Sequence, residues 1–167
     1  MSVATFERTL EVLILDLQGE IFAIDVSYVR EILDMVSITE VPNSRPFVDG
    51  IINVRGKVVP LADLRLKFGM ERTPPTVDTR IVVIEIDIEG VPTTVGIHAD
   101  KVYEVTELLS ASLTETPKIG MRWRPEFIRC IGKRGTDFII ILDVAAVLTT
   151  KAEDAPSKQP ESTSAAA

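Results

Sequence analysis

Gly50-Ile51-Ile52-Asn53-Val54-Arg55-Gly56-Lys57-Val58-Val59-Pro60-Leu61-Ala62-Asp63 sets two apolar runs on either side of Arg55-Gly56-Lys57. That pattern reads as strand, tight turn, strand. Gly56 supplies the permissive backbone the turn needs. Arg55 is therefore expected at the mouth of a hairpin, fixed by backbone on both sides. Asp63 closes the second strand and precedes Leu64-Arg65-Leu66-Lys67-Phe68, where a helix N-cap belongs. A rigidly held arginine with no catalytic partner in sequence points to a recognition surface.

Outward from this hairpin the chain repeats itself. Phe47, Ile51, Leu61, Asp63 and Leu64 match Phe127, Ile131, Ile141, Asp143 and Val144. Upstream, Ile24, Val29, Glu31 and Ile32 match Ile97, Val102, Glu104 and Val105, and Leu13 to Gly19 matches Ile84 to Gly90. The offset grows from 71 to 73 to 80 along the chain, as small insertions in the second copy would produce. An internal duplication is the reading adopted. Chance similarity among Ile/Val-rich strands is the alternative, because strand patterns are degenerate.

Each copy holds roughly five short strands and closes with a short helix. Strands are expected near 10–17, 20–25, 30–41, 50–55 and 57–62, then near 80–88, 92–98, 102–108, 127–133 and 138–142. Helical turns are expected after Asp63 and Asp143 and over Val26 to Arg30. Period-two alternation suits antiparallel strands with one buried face. Short, twisted strands bury that face by curling into a small barrel. The expectation is a mainly β protein of two pseudo-symmetric five-stranded barrels with short helices, sharing a seam where partners sit. Thr73-Pro74-Pro75-Thr76 is the loop between copies, and Thr114 to Arg124 is another. Residues 150–167 lack large apolar side chains and read as a disordered tail.

Composition narrows the function. Apolar residues make up 46% of the chain and aromatics only 5%. The apolar content is ample for a core, and its Ile/Val/Leu bias favours strands. The net charge of −7 is a poor match for nucleic acid or an anionic lipid surface. Cys130 is the single cysteine, so no intramolecular disulfide forms and a reducing compartment fits. No signal peptide and no apolar run of about 18 residues is seen. A soluble cytoplasmic protein is the expectation.

Catalytic constellations are missing. His98, the single histidine, alternates with Ile97 on an expected strand and reads as a surface or loop residue. Cys130 reads as a small core or half-buried side chain, although Arg129 beside it could lower its pKa. The carboxylates show no metal-ligand spacing, and no phosphate-binding glycine loop is present, so no cofactor is expected. Trp123, within Met121-Arg122-Trp123-Arg124-Pro125, reads as surface packing, with a partner anchor as the alternative.

Asn53-Val54-Arg55-Gly56, followed by Val59-Pro60-Leu61-Ala62-Asp63-Leu64, resembles the Asn-Leu-Arg-Gly signature of the CheW family, the coupling proteins of bacterial chemotaxis. Val54 replaces the more usual leucine. Phe22-Ala23-Ile24-Asp25, Val29-Arg30-Glu31-Ile32, Val41-Pro42, Pro46 to Gly50 and Val95-Gly96-Ile97-x-x-Asp100-x-Val102 match further family patterns. The resemblance covers about residues 10–148. It implies two SH3-like barrels, set here as a CheW-like domain over 8–149. The first unit spans about 10–70 and the second about 79–148, with exchange of strands between them left open.

The resemblance also implies partners and a site. It implies a non-enzymatic adaptor joining methyl-accepting chemoreceptors to the histidine kinase CheA, recruited from the cytoplasm to receptor arrays. The receptor's helical hairpin tip would dock in the groove between barrels, at Val29, Glu31, Arg55, Val58, Ile81 and Val102. The CheA regulatory domain would pack end to end on one barrel, at Ile38, Val41, Pro42 and Gly50. Physically, the four apolar groove residues could form a strip for an amphipathic helix. Glu31 and Arg55 could pair at its edge, partly desolvated; breaking such a pair would cost roughly 3–5 kcal/mol if buried. The alternatives are a CheW-like regulatory domain cut from a kinase, or the adaptor half of a CheV-type protein. Met1 and the tail make a complete protein the expectation. A small hydrolase would need a nucleophile and base within about 3 Å.

Overall fold

The structure, a computed structural model, describes residues 8–42, 46–115, 117 and 124–149. The expected tail and Trp123 lie outside the described residues. The strands are β1 (Thr9–Leu17), β2 (Glu20–Asp25), β3 (Val29–Asp34), β4 (Val48–Val54), β5 (Lys57–Ala62), β6 (Arg80–Ile88), β7 (Val91–Ala99), β8 (Lys101–Leu109), β9 (Leu113–Thr114), β10 (Ile128–Arg134) and β11 (Asp137–Leu142). Among the described residues, short α-helices α1 (Leu64–Lys67) and α2 (Val144–Thr149) follow β5 and β11, and 3-10 turns lie at Val26–Tyr28, Ser110–Ser112 and Pro125–Phe127. The caps of α1 and α2 are the expected aspartates. The Asp63 carboxylate accepts from Arg65 N at 3.0 Å, and that of Asp143 accepts from Ala146 N at 3.1 Å.

The strands form two sheets, ordered β8-β1-β2-β11-β10-β9 and β3-β6-β7-β5-β4. Neither sheet is a contiguous half of the chain. The hairpin β1–β2 of the first copy joins β10–β11 of the second, and the hairpin β6–β7 of the second joins β3, β4 and β5 of the first. The exchange is reciprocal and in register. Leu61 lies beside Gly96 in a parallel β5–β7 pair, and Ile141 lies beside Ala23 in a parallel β11–β2 pair. The duplication is visible in other details too. Asp63 N donates to Phe47 O at 2.7 Å, as Asp143 N does to Phe127 O at 2.9 Å. The bridge of Thr39 to Ile51 has its counterpart in Thr114 on Ile131. Gly19 and Gly90 close equivalent turns.

Three apolar cores result among the described residues. Val12, Ile14, Ala23, Leu108, Ile139 and Ile141 fill the first barrel. Ile52, Val54, Val59, Leu61, Ile81 and Val83 fill the second. The third and largest lies between the barrels and includes Leu13, Leu15, Leu17, Phe22, Val82, Ile84, Ile97, Phe127 and Val144. Alternate residues of β1 and β6 thus enter a barrel or the seam, and both faces are buried. This corrects the expectation of one buried face per strand, and it explains why Val12 to Leu15 and Ile81 to Ile84 are unbroken apolar runs.

The strand expected over 30–41 ends at Asp34, because the chain leaves β6 and crosses to β4, meeting it at the Thr39–Ile51 bridge. Gly50 makes that crossing possible. Its φ is +152°, and a Cβ there would stand 2.2 Å from Thr39 O.

Candidate functional site

Arg55 and Gly56 are the two central residues of the β4–β5 turn, with φ of 52° and 84°. Two successive positive φ values define the mirror-type turn that matches strand twist. Asn53 supports it by accepting from Gly56 N at 2.8 Å. An arginine in left-handed backbone costs about 1 kcal/mol or more, so a residue such as asparagine or glycine would be the easier choice for folding alone. Arg55 Nε lies 3.2 Å from Glu31 Oε2 on β3, which ties the two edges of the second barrel together.

The expected pair therefore exists, but its energetics differ from the expectation. The Arg55 side chain is 80% exposed and that of Glu31 25%. Solvent screening leaves such a pair about 1 kcal/mol or less, well under the buried-pair figure. The pair leaves the Arg55 guanidinium largely in solvent.

The structure separates the expected apolar groove residues. Val29 and Val102 are half-buried and pack on the core between the barrels, Val29 at the start of β3 and Val102 at the start of β8. Val58, one residue past the turn, is 73% exposed. Ile81 is 0% exposed. It points into the second barrel beside Val83, so its assignment to the groove is corrected: residues of even number on β6 face the seam and Ile81 faces the opposite way. Of the residues expected to face the kinase, Val41 and Pro42 are exposed, Ile38 is half-buried against the second barrel's core, and Gly50 is buried. Gly50 acts by letting the segment around Thr39 lie against β4, not by offering a surface.

Sequence reasoning missed two features. The first is a second arginine–glutamate pair, Arg134 with Glu104, at the β10–β11 turn. The internal matches place Glu104 opposite Glu31, but their offset of 80 places Gly135 opposite Arg55 and Arg134 opposite Val54, so the second pair joins equivalent strands with its arginine one position earlier, at the end of β10. Exposed Tyr103 and Val105 flank Glu104 on β8, and exposed Phe138 lies on β11 just past the turn. The second is a buried polar cluster at the junction of the barrels. Arg65, 2% exposed, contacts Asp63 at 2.7 Å and Asp100 at 3.0 Å. Burial works to lower the Arg65 pKa, but hydrogen bonds and charge from Asp63 and Asp100 raise it overall, so the guanidinium stays charged. The signal was present as Asp63-x-Arg65 and the Asp100 of the Gly96-Ile97-x-x-Asp100 pattern.

His98 also departs from expectation. It is 3% exposed on β7, because that strand is buried on both faces from Val95 to Ala99 and His98 Nε2 lies 3.4 Å from Asp100 Oδ1. Cys130 is half-buried on β10; burial pushes its thiol up, against the opposing charge of Arg129. No group of three or more His, Cys, Asp or Glu side chains is placed to hold a metal among the described residues. No helix among them is long and apolar enough to cross a membrane.

Two small β-barrels built by reciprocal strand exchange, with a fixed arginine at one turn, define a double-barrel domain. The sequence model of the CheW-like domain matches residues 11–152. The chain belongs to the CheW family. It is 28% identical to the chemotaxis protein CheW of Klebsiella aerogenes over 84% of this chain and 82% of that protein. It is 31% identical to the chemotaxis protein CheW of Bacillus subtilis over 78% and 81% respectively. The crystal structure of the scaffolding protein TtCheW from Thermoanaerobacter tengcongensis superposes with a TM-score of 0.76, 28% identity, and coverage of 90% of this chain and 94% of that one.

Proposed function

We propose that this chain is a non-enzymatic adaptor that couples methyl-accepting chemoreceptors to the histidine kinase CheA. The observation that carries the reading is Arg55. A charged side chain is held in left-handed backbone, paired to Glu31, and left largely in solvent beside the exposed Val58. Strained, exposed and rigid residues of this kind suit recognition. Membership of the CheW family supports the same reading.

In this reading the receptor's helical hairpin tip lays its apolar stripe on Val29, Val58 and Val102, with Arg55 and Glu31 setting its orientation. Ile81 takes no part in contact. The regulatory domain of CheA packs on the end of the second barrel, around Ile38, Val41 and Pro42. The protein works in the cytoplasm, at membrane-associated receptor arrays, without itself entering the bilayer and without nucleic acid.

Titration of the full chain with a receptor hairpin fragment and with the CheA regulatory domain tests this. Each should bind alone, and a saturating amount of one should leave a site for the other, giving a ternary complex by sedimentation. Mutual exclusion, or failure to bind either, would overturn the proposal.

A further inference from the structure

At the junction of the barrels the polar groups form a closed ring. Asp100, in the turn between β7 and β8, accepts from Arg65 Nη1 through Oδ1 at 3.0 Å and from Gln18 N through Oδ2 at 2.7 Å. Arg65 Nη1 also donates to Thr73 Oγ1 at 3.2 Å, and Gln18 Nε2 donates to that same hydroxyl at 3.0 Å. Gln18 belongs to the β1–β2 turn of the first barrel, whereas Arg65 and Thr73 follow β5 of the second. The backbone adds Asp100 N donating to Asp16 O at 3.0 Å. These bonds hold the tip of one barrel's hairpin to the helix of the other.

His98 lies under this ring. Its Nε2 is 3.4 Å from Asp100 Oδ1, is buried, and makes no hydrogen bond. A cleft of about 290 Å³ separates it from Glu40 and Asp49 on and before β4 and from Arg72 after α1. The carboxylates closest to His98 are already paired with arginine, although Asp49 Oδ1, across the cleft, makes no hydrogen bond. Asp63 and Asp100 hold Arg65, and Asp49 holds Arg72. Glu40 stands on the exposed side of the cleft.

We propose that His98 is a proton-sensitive element of this junction: a protonated imidazole competes with Arg65 and Gln18 for Asp100 and loosens the ring joining the β1–β2 hairpin to α1. A buried polar network is costly once one member is left unsatisfied, so a single proton has leverage there. The pKa of His98 is lowered by burial and by the Arg65 charge, with Asp63 and Asp100 pulling the other way. The sign follows. The unfolded chain takes up the proton near the ordinary value of 6.5, while the fold resists it. Stability contributed by neutral His98 is therefore complete above that pH. It falls as pH drops below it, by about tenfold in the folding constant per pH unit, until the folded protein also protonates.

Because His98 is the single histidine, its ring resonances identify themselves in an NMR titration of the intact protein. The expected result is a midpoint below 6.5, with the Gln18 amide shifting at the same midpoint. In parallel, urea unfolding of the wild type between pH 7.5 and 5.5 should show an acid loss that His98→Val lacks. If His98→Val does not fold, His98→Gln takes its place, and the wild-type titration needs no variant. A midpoint at or above 6.5, a Gln18 amide indifferent to the titration, or identical pH profiles for wild type and variant would each overturn the proposal.

Discussion

Arg65 reaches Asp100 at 3.0 Å while its other terminal nitrogen holds Asp63 at 2.7 Å, so one buried guanidinium joins the cap of α1 to the turn between β7 and β8. Removing it would take the main charge partner from two carboxylates, leaving the fully buried Asp63 with Arg72 Nε at 3.3 Å and Asp100 with the Gln18 N–H. Arg65→Met is expected to destabilise the protein by about 3–5 kcal/mol. Arg65→Lys, which keeps the charge but cannot span both partners, should lie between it and the wild type. Urea denaturation measures both. A loss under about 1 kcal/mol for Arg65→Met would show that the cluster relaxes into solvent.

Gly50 and Gly19 offer a paired test of close approach against backbone strain. Both have positive φ, but a Cβ at Gly19 meets nothing within 4 Å, while at Gly50 it meets the Thr39 carbonyl. Gly19→Ala should cost about 1 kcal/mol, from conformation alone. Gly50→Ala should cost about 3 kcal/mol or more, because the 38–42 segment must move off β4. Equal losses in thermal unfolding would mean that the crossing segment yields freely.

The reciprocal exchange of hairpins makes a prediction about folding units. Fragments 8–70 and 79–149 each lack two strands of the barrel they would otherwise complete. Each alone should be unfolded by circular dichroism and proton NMR. An equimolar mixture should regain strand signal with saturable, concentration-dependent kinetics. A dispersed spectrum from 8–70 alone would contradict the topology.

Much of this fold was legible because its local signals agree. The Arg55-Gly56 turn, the aspartate caps and the drifting repeat all rest on short-range chemistry. What stayed hidden depends on partners distant in sequence. Nothing local distinguishes a strand such as β6 that faces two cores from one that faces a single core, and that is why Ile81 was misplaced. Its neighbours Val82 and Ile84 are just as apolar, so period two has no contrast from which to set the face. His98 was misread for a related reason: a lone polar residue on a strand reads as exposed unless the buried charges opposite it are known. Those charges come from α1, 33 positions away at Arg65.

Asp25 should report acid sensitivity of the first barrel. Its carboxylate accepts from Ser27 N at 2.9 Å and from Arg129 Nη1 at 2.9 Å, linking the end of β2 to β10. Burial works to raise its pKa, but the Ser27 hydrogen bonds and the Arg129 charge outweigh it and hold the group below its ordinary 3.8. A depressed folded pKa contributes stability that is present above the unfolded value and is lost as pH falls through the folded one. Asp25→Asn should therefore cost about 0.5–1 kcal/mol at neutral pH. The difference should shrink as pH falls below the ordinary 3.8 and through the lower folded pKa. A gap that persists undiminished in acid would assign the loss to packing, not charge.

Val58 gives the sharpest test of the receptor surface, because it is exposed while Val29 and Val102 are only half so. Val29→Asp or Val102→Asp alters the core between the barrels as well as the surface, so a loss of affinity there mixes with a loss of stability. Val58→Asp leaves the fold within about 0.5 kcal/mol of the wild type. It should nonetheless lower affinity for a receptor hairpin fragment by more than about tenfold, since a helix's apolar stripe would desolvate an unpaired carboxylate. Affinity for the CheA regulatory domain should be unchanged. Arg55→His should behave likewise, weakening receptor binding with an unaltered unfolding transition. Ile81→Ala serves as the internal control. It empties space in the second barrel, costing about 2–5 kcal/mol of stability, yet the surviving folded protein should bind the receptor fragment normally. If Ile81→Ala lost affinity while Val58→Asp kept it, the docking face would have to lie elsewhere, with the Arg134–Glu104 turn of the other barrel the next surface to probe.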